Sequence, residues 1–159
     1  MADIFLGLGS NVEREKNIAF ALQRLGELFG EVMCSPIYES ESVGFAGRNF
    51  FNLVVKVTSK DGIGDLSKIF RLIEDEAGRD RSKPKFSPRT LDIDILLVDD
   101  LAGDFDGIKL PRDEILKNAF VLLPLSDIAP ELIHPEAGKS YASLWMDFDK
   151  QKQKLWKVS

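Results

Sequence analysis

The sequence predicts an α+β protein, a ferredoxin-like βαββαβ sandwich with an additional C-terminal α/β segment, and three features predict it. Short apolar or β-branched runs alternate with stretches of helical period, in the order strand, helix, strand, strand, helix, strand. A glycine stands where each helical pattern stops. The chain of 159 residues has no repeat and no linker-like stretch, so one domain over 1–159 with a single sizeable core is expected.

The elements follow in order. Ile4-Phe5-Leu6-Gly7-Leu8 is a short apolar run ended by Gly9-Ser10-Asn11, which reads as a buried strand entering a loop. Ile18, Leu22, Leu25 and Phe29 recur at helical spacing up to Gly30. Glu31 to Tyr38 reads as a second strand, with Pro36 demanding an edge or a bulge. Residues 39–49, polar and holding two glycines, read as a loop. Phe50 to Thr58 is rich in β-branched and aromatic residues and is the clearest strand. Leu66, Ile69, Phe70, Ile73 and Ala77 mark a second amphipathic helix, closed by Gly78. Leu91 to Val98 is the fourth strand. From Asp99 onward short helices and loops are expected, including Leu122-Leu123-Pro124-Leu125, and the polar last dozen residues around Trp156 read as a loosely attached helix.

Composition excludes several classes. Apolar residues make up 44% and charged residues 30% of the chain, ordinary values for a soluble globular protein. No run approaches the ~20 apolar residues of a membrane span, and Met1 to Ile4 carries no signal-like pattern, so a cytoplasmic protein without a membrane partner is expected. The single cysteine, Cys34, excludes an internal disulfide framework. A net charge of −5 argues against a nucleic-acid partner. The charge is unevenly placed: Arg79 to Arg89 holds five cations and one anion, whereas Asp99 to Asp106 holds four aspartates and no cation. A basic segment in an acidic chain points to a small anionic ligand.

The segment Thr90-Leu91-Asp92-Ile93-Asp94-Ile95-Leu96 carries most of the chemistry. Alternation on a strand puts Leu91, Ile93 and Ile95 on one face, with Asp92 and Asp94 side by side on the other. Two such carboxylates repel unless a cation sits between them, and hard oxygen ligands suit Mg²⁺, which completes its shell with water and substrate phosphates. A solvent-facing amphipathic strand would also carry such a pair. The cations directly before it, Arg79, Arg81, Lys83, Lys85 and Arg89, favour a polyphosphate site, because arginine and lysine offset charge developing on phosphate oxygens. No GxxxxGK[ST] is present, and Gly7-Leu8-Gly9-Ser10-Asn11-Val12 supplies only the first two glycines of GxGxxG. Those glycines read as a tight turn beneath a pocket. Phe50, Phe51, Phe86 and Phe120 lie beside loops or strand ends, where a flat heterocycle can stack, although phenylalanine is more often core. Phe50 and Asn52 share a strand face, joining a ring to a two-way hydrogen-bonding amide. The only histidine, His134, reads as structural.

Taken together, GLGSN at Gly7 to Asn11, Tyr38 with Val43-Gly44, Phe51-Asn52, Ile73-Glu74, Gly78-Arg79-Asp80-Arg81, Ser87 to Leu96 and Phe120 to Leu125 with Ile128-Ala129-Pro130 resemble the 6-hydroxymethyl-7,8-dihydropterin pyrophosphokinase family. The resemblance implies a ferredoxin-like fold and transfer of the ATP β,γ-pyrophosphate to the pterin hydroxymethyl in folate biosynthesis, releasing AMP. It implies that Asp92 and Asp94 hold two Mg²⁺ ions, and that Arg81, Lys85 and Arg89 contact phosphates. It implies a pterin held by Ser42, Val43, Gly44 and Asn52 and sandwiched by Phe50 and Phe120. Arg71 and Glu74 fall at the nucleotide region, and Ile95 on its adenine side. The sequence departs from the family's pattern in four places: Arg112 stands for the usual histidine after proline, Asn118 for an arginine, Phe86 for a tryptophan and Lys85 for an arginine. Lysine keeps the charge but loses the fork, and Arg112 is expected to restore at the nucleotide what Asn118 removes. The expectation is a monomeric enzyme; the alternative is a catalytically weakened or respecialised relative that binds pterin or nucleotide.

Overall fold

The computed structural model describes residues 1–41, 49–78, 91–151 and 153–158. In chain order the elements are β1 (Ala2–Ser10), α1 (Arg14–Phe29), β2 (Met33–Cys34), β3 (Tyr38–Ser40), β4 (Phe50–Ser59), α2 (Ile63–Glu76) and β5 (Asp92–Val98). There follow β6 (Gly103–Phe105), β7 (Ile108–Leu110), α3 (Glu114–Lys117), α4 (Ala119–Ile128), α5 (Tyr141–Asp147) and β8 (Leu155–Lys157). The protein is α+β. Its main sheet is antiparallel, in the order β5-β1-β4-β3-β8, with β2 also on β4.

The helices form where the apolar spacing predicts. In α1, Ile18, Ala21 and Leu25 are buried along one face; in α2, Leu66, Phe70 and Ile73 are. Both are followed by glycines at positive φ, Gly30 at 83° and Gly78 at 93°, a conformation that costs glycine no Cβ clash. These faces pack on Ile4, Leu6, Leu8, Leu53, Val55, Ile93 and Ile95 of the sheet.

The opposite face of the sheet is covered as well. Phe5, Val54, Leu96 and Leu97 pack with Ile115, Val121, Leu122, Leu125 and Tyr141 of α3, α4 and α5. The C-terminal third therefore builds a third layer. Tyr141 is fully buried, and among the described residues its hydroxyl has no hydrogen-bond partner. An unpaired buried hydroxyl carries its desolvation cost. Tyr141→Phe is therefore expected to leave stability unchanged or raise it by about 1 kcal/mol, read from urea unfolding midpoints; a loss of stability would reveal a partner for the hydroxyl.

Four local expectations are corrected. The strand expected over Glu31 to Tyr38 is two short strands, because Pro36 has no N–H to give the ladder. Between them the Ser35 N–H donates to the Val54 carbonyl and the Ser35 hydroxyl accepts the Val54 N–H, both at 2.9 Å, which carries the pairing across the interruption. The chain end is a strand, β8, rather than a helix: Tyr38 pairs with Lys157 and Ser40 with Leu155. The acidic run after β5 forms a hairpin, β6-β7, turning at Asp106 and Gly107, both at positive φ, the requirement of a tight two-residue turn. Finally, Gly7 and Gly9 are strand residues inside β1 and make no turn.

Candidate active site

The pairing register brings the sequence-predicted residues into one row. Gly9 of β1 lies opposite Asn52 of β4 on one side and Asp92 of β5 on the other, and Asn52 in turn faces Tyr38 of β3. One step along, Gly7 lies between Val54 and Asp94. Because side chains alternate, Gly7, Gly9, Asn52, Asp92 and Asp94 share the face that carries Phe5, Val54 and Leu96. A Cβ placed on Gly9 would lie 3.5 Å from Asn52 Oδ1 and 3.9 Å from Phe50 Cδ1, so Phe50 and Asn52 both flank it. Gly9, itself buried, thus lies between an amide and a ring on one side and Asp92 on the other, whereas at Gly7 the Leu96 side chain lies 3.5 Å from where a Cβ would stand. A glycine within a strand often marks a close approach by a ligand.

Each wall has its own support. Asn52 is buried, and its Nδ2 donates to Ser40 Oγ at 2.8 Å. Tyr38, beside it, donates its hydroxyl to Asp127, and burial followed by that carboxylate pushes its pKa up. At the mouth of β4, Arg14 donates to the Asn49 carbonyl at 3.1 Å, pairs with Glu39 at 3.3 Å and lies 4.0 Å over the Phe51 ring. Phe120 is the second residue of α4, half-buried against the cluster on this face.

On the acidic side, the Ile93 N–H between the two aspartates donates to Glu74 Oε2 at 2.8 Å. Arg112 reaches Asp94 Oδ1 at 3.5 Å and Glu114 Oε1 at 3.2 Å through the same nitrogen, while its backbone N–H donates to the Leu96 carbonyl at 3.0 Å. Its Nε is buried without a hydrogen-bond partner among the described residues. Desolvation pushes the Asp94 carboxyl up to about 6; Arg112 opposes the rise, and Asp92, Glu114 and Glu74 add to it. Asp94 nevertheless keeps 40% of its side-chain surface exposed, so it can meet a ligand.

Of the residues the sequence offered as metal, nucleotide and pterin contacts, the structure sets Asp92, Asp94, Phe50 and Asn52 on one face of the sheet and Arg112 beside Asp94. Two of the residues assigned to the nucleotide region are buried. Ile95 is 5% exposed in the core under α1 and α2, because strand alternation turns its side chain to the face opposite Asp94. Glu74 is 6% exposed and its Oε2 accepts the Ile93 N–H, which ties α2 to the carboxylate strand. Arg71 stands on the exposed side of α2, one turn before Glu74. Ser42, Val43, Gly44, Arg81, Lys85, Phe86 and Arg89 lie outside the described residues. Glu114, Ser40 and the placing of Gly9 between Asn52 and Asp92 were not read from the sequence, since each depends on which elements become neighbours.

Among the described residues no group of three or more His, Cys, Asp or Glu side chains is arranged to hold a metal ion. Asp92 and Asp94 form a two-carboxylate set, and that suits magnesium, which usually takes one or two protein carboxylates and fills its shell with water and phosphate. Burial raises the Asp94 carboxyl most, and the neighbouring carboxylates of Asp92, Glu114 and Glu74 add to the rise; a divalent cation beside them would oppose it.

Fold and site define a class: an α+β protein with a carboxylate pair on one face of an antiparallel sheet. A family model described as 7,8-dihydro-6-hydroxymethylpterin-pyrophosphokinase (HPPK) matches residues 5–130, and the chain belongs to this family. It is 37% identical over 137 residues to the 2-amino-4-hydroxy-6-hydroxymethyldihydropteridine pyrophosphokinase of Aquifex aeolicus, covering 85% of each chain. It is 38% identical over 138 residues to the protein of that name from Pseudomonas aeruginosa, covering 84% of each. Among solved structures it resembles wild-type Plasmodium falciparum HPPK-DHPS, with a TM-score of 0.73 at 15% identity over 96% of this chain. That likeness shows the fold alone, and the chain spans 44% of the solved protein.

Proposed function

We propose that this pyrophosphokinase transfers the β,γ-pyrophosphate of ATP to the hydroxymethyl group of 6-hydroxymethyl-7,8-dihydropterin, giving AMP and the pterin diphosphate on the route to folate. The observation that carries this reading is the row Asn52-Gly9-Asp92. Its ends are two inter-strand spacings apart, about 10 Å, a span suited to a two-ring heterocycle with a one-carbon arm. A pterin lying over Gly9 would offer its pyrimidine edge to Asn52 and extend its hydroxymethyl toward the carboxylates. Phe50 and Phe120 would hold its faces, and Ser42, Val43 and Gly44 would close over it.

Asp92 and Asp94 would hold magnesium. When bound, the metal supplies positive charge to the phosphate oxygens and acidifies the attacking hydroxyl. Arg81, Lys85 and Arg89 would draw the triphosphate into line and offset its charge, so that positioning and electrostatics supply most of the catalysis. Arg112 would leave Asp94 for a phosphate oxygen. Glu74 fixes the strand between the two aspartates so that both stay on the face of Asn52. The β5-β1-β4-β3 order, with α1 and α2 on one face, supports a ferredoxin-like plan, and we assign residues 1–159 to one monomeric, cytoplasmic domain. Among the described residues no helix is long and apolar enough to cross a membrane.

A second reading has its own observation. Arg112 is engaged by Asp94 and Glu114, and the Asn118 side chain by Gln153, so both of these family-divergent positions are committed to protein partners. A relative with weakened transfer would show this arrangement. One assay separates the readings: AMP release from ATP with and without 6-hydroxymethyl-7,8-dihydropterin, and with EDTA. The enzyme predicts pterin-dependent AMP that EDTA abolishes; pterin binding without AMP selects the weakened relative.

A further inference from the structure

The start of α4 lacks the usual local restraints. Asn118 occupies its N-cap position, yet its side chain makes no capping bond to the helix, although asparagine is a favoured cap. Pro124 lies inside the helix and has no N–H to give the carbonyl of Phe120, four residues earlier. The turn that carries Phe120 is therefore held less firmly by its own sequence than an ordinary first turn.

A residue from the far end of the chain takes over. Gln153 Oε1 accepts the Ala119 N–H at 2.6 Å, one of the amides that a helix start leaves without an intrahelical partner. Its Nε2 donates to the Lys117 carbonyl at 2.9 Å and reaches Asn118 Oδ1 at 3.3 Å. One side-chain amide thus grips three consecutive residues directly before Phe120. Two residues further on, β8 begins. Leu155 pairs with Ser40 of β3, and the Val158 N–H donates to the Ile37 carbonyl at 2.8 Å. Ser40 is the residue whose hydroxyl accepts from Asn52 Nδ2. The tail consequently ties the turn bearing Phe120 to the strand supporting Asn52.

We infer that Gln153 is a positioning residue for pterin binding: as a remote cap it fixes the start of α4, and with β8 it sets the distance between Phe120 and the Asn52 side of the site. This rests on the proposed reading of Phe120 and Asn52 as pterin contacts. Asn118 serves in this arrangement as the docking point of the tail. The hydrogen bonds of Gln153 go to Lys117, Asn118 and Ala119 and not to Asp92, Asp94 or Arg112, and because Asn118 lacks the charge of the family's arginine, nucleotide binding is expected to change far less than pterin binding on its loss.

The test compares wild type, Gln153→Ala, Gln153→Met and Gln153→Glu. Pterin affinity is read from the ligand's own fluorescence, binding of a nonhydrolysable ATP analogue from calorimetry, and exchange of the Ala119 amide by NMR. In the Ala and Met variants the pterin Kd and KM are expected to rise about tenfold, the effect of losing one to two hydrogen bonds, with kcat and analogue affinity changed less than about twofold. Ala119 exchange should accelerate in both. Glu keeps the acceptor for Ala119 and suits a helix start, so it should recover part of the pterin affinity. Unchanged pterin affinity in Ala and Met overturns the inference. An equal loss of both ligands also overturns it, because it marks a general weakening of the fold. A wild type that does not bind the pterin overturns the functional reading itself, and the inference with it.

Discussion

Asp94→Asn is expected to abolish pterin-dependent AMP formation, by about 10³-fold or more, while leaving the ligand-free protein at least as stable at pH 7. The activity loss follows from removing one of the two carboxylates that would hold magnesium, whose charge stabilisation is worth several kcal/mol. The stability follows from the sign of the Asp94 shift. Burial and the carboxylates of Asp92, Glu114 and Glu74 outweigh Arg112 and push this group up to about 6 from an ordinary 3.8. The folded state thus keeps a proton that the unfolded chain has already released. Stability falls as pH rises from about 4 to 6, and above that window the cost of the ionised group is fully present. Asparagine never ionises, so the variant should lack this fall. Because the side chain is 40% exposed, solvent screening limits the gain to the order of 1 kcal/mol. Thermal midpoints of the two proteins without metal, from pH 4 to 7.5, give the comparison. Parallel profiles would show that Asp94 carries no such shift, and more than a few per cent of residual activity would remove it from the reaction centre.

Gly9→Val is expected to weaken pterin binding by about 100-fold or more while the protein stays folded. The first added carbon meets Asn52 Oδ1 at 3.5 Å and Phe50 Cδ1 at 3.9 Å, ordinary contacts, so Gly9→Ala should cost little stability. Valine's two further methyls have to stand over β1 or against Asn52 and Phe50, and crowding of this kind costs about 1–3 kcal/mol. Valine's preference for strands offsets part of that cost. Pterin fluorescence titration and urea unfolding of glycine, alanine and valine proteins would separate loss of the site from loss of the fold. If valine bound the pterin as tightly as glycine does, the ligand would not lie across Gly9, and the row Asn52-Gly9-Asp92 would lose its role.

The helices and the long strands were legible because their signals are local. Ile18, Leu25, Leu66, Phe70 and Ile73 repeat with the turn of the helix they form, and Asp92 and Asp94 share a face because strand alternation has a period of two. Local reading failed where a neighbour overrides the local pattern. Leu155, Trp156 and Lys157 sit in a polar tail that reads as helical, yet the open edge of β3 offers backbone partners that draw it into a strand. Gly7 and Gly9 look like turn residues beside Ser10 and Asn11, yet pairing with both β4 and β5 keeps them extended. Glu74 and Ile95 sit in family motifs, which say which positions matter but not which way a side chain points.

By itself the sequence determined the two long helices and the long strands in their order, the carboxylate pair, the cations that precede it and the family to which the chain belongs. Only the tertiary structure decided that Asn52, Gly9 and Asp92 form one row, that Glu74 ties α2 to the carboxylate strand, that Arg112 rests on Asp94, and that Gln153 caps a helix 34 residues away. The reason is physical. Periodicity and composition report on atoms a few residues apart, whereas strand register and tail docking are set by the joint packing of two cores on opposite faces of the sheet, to which no local stretch has access.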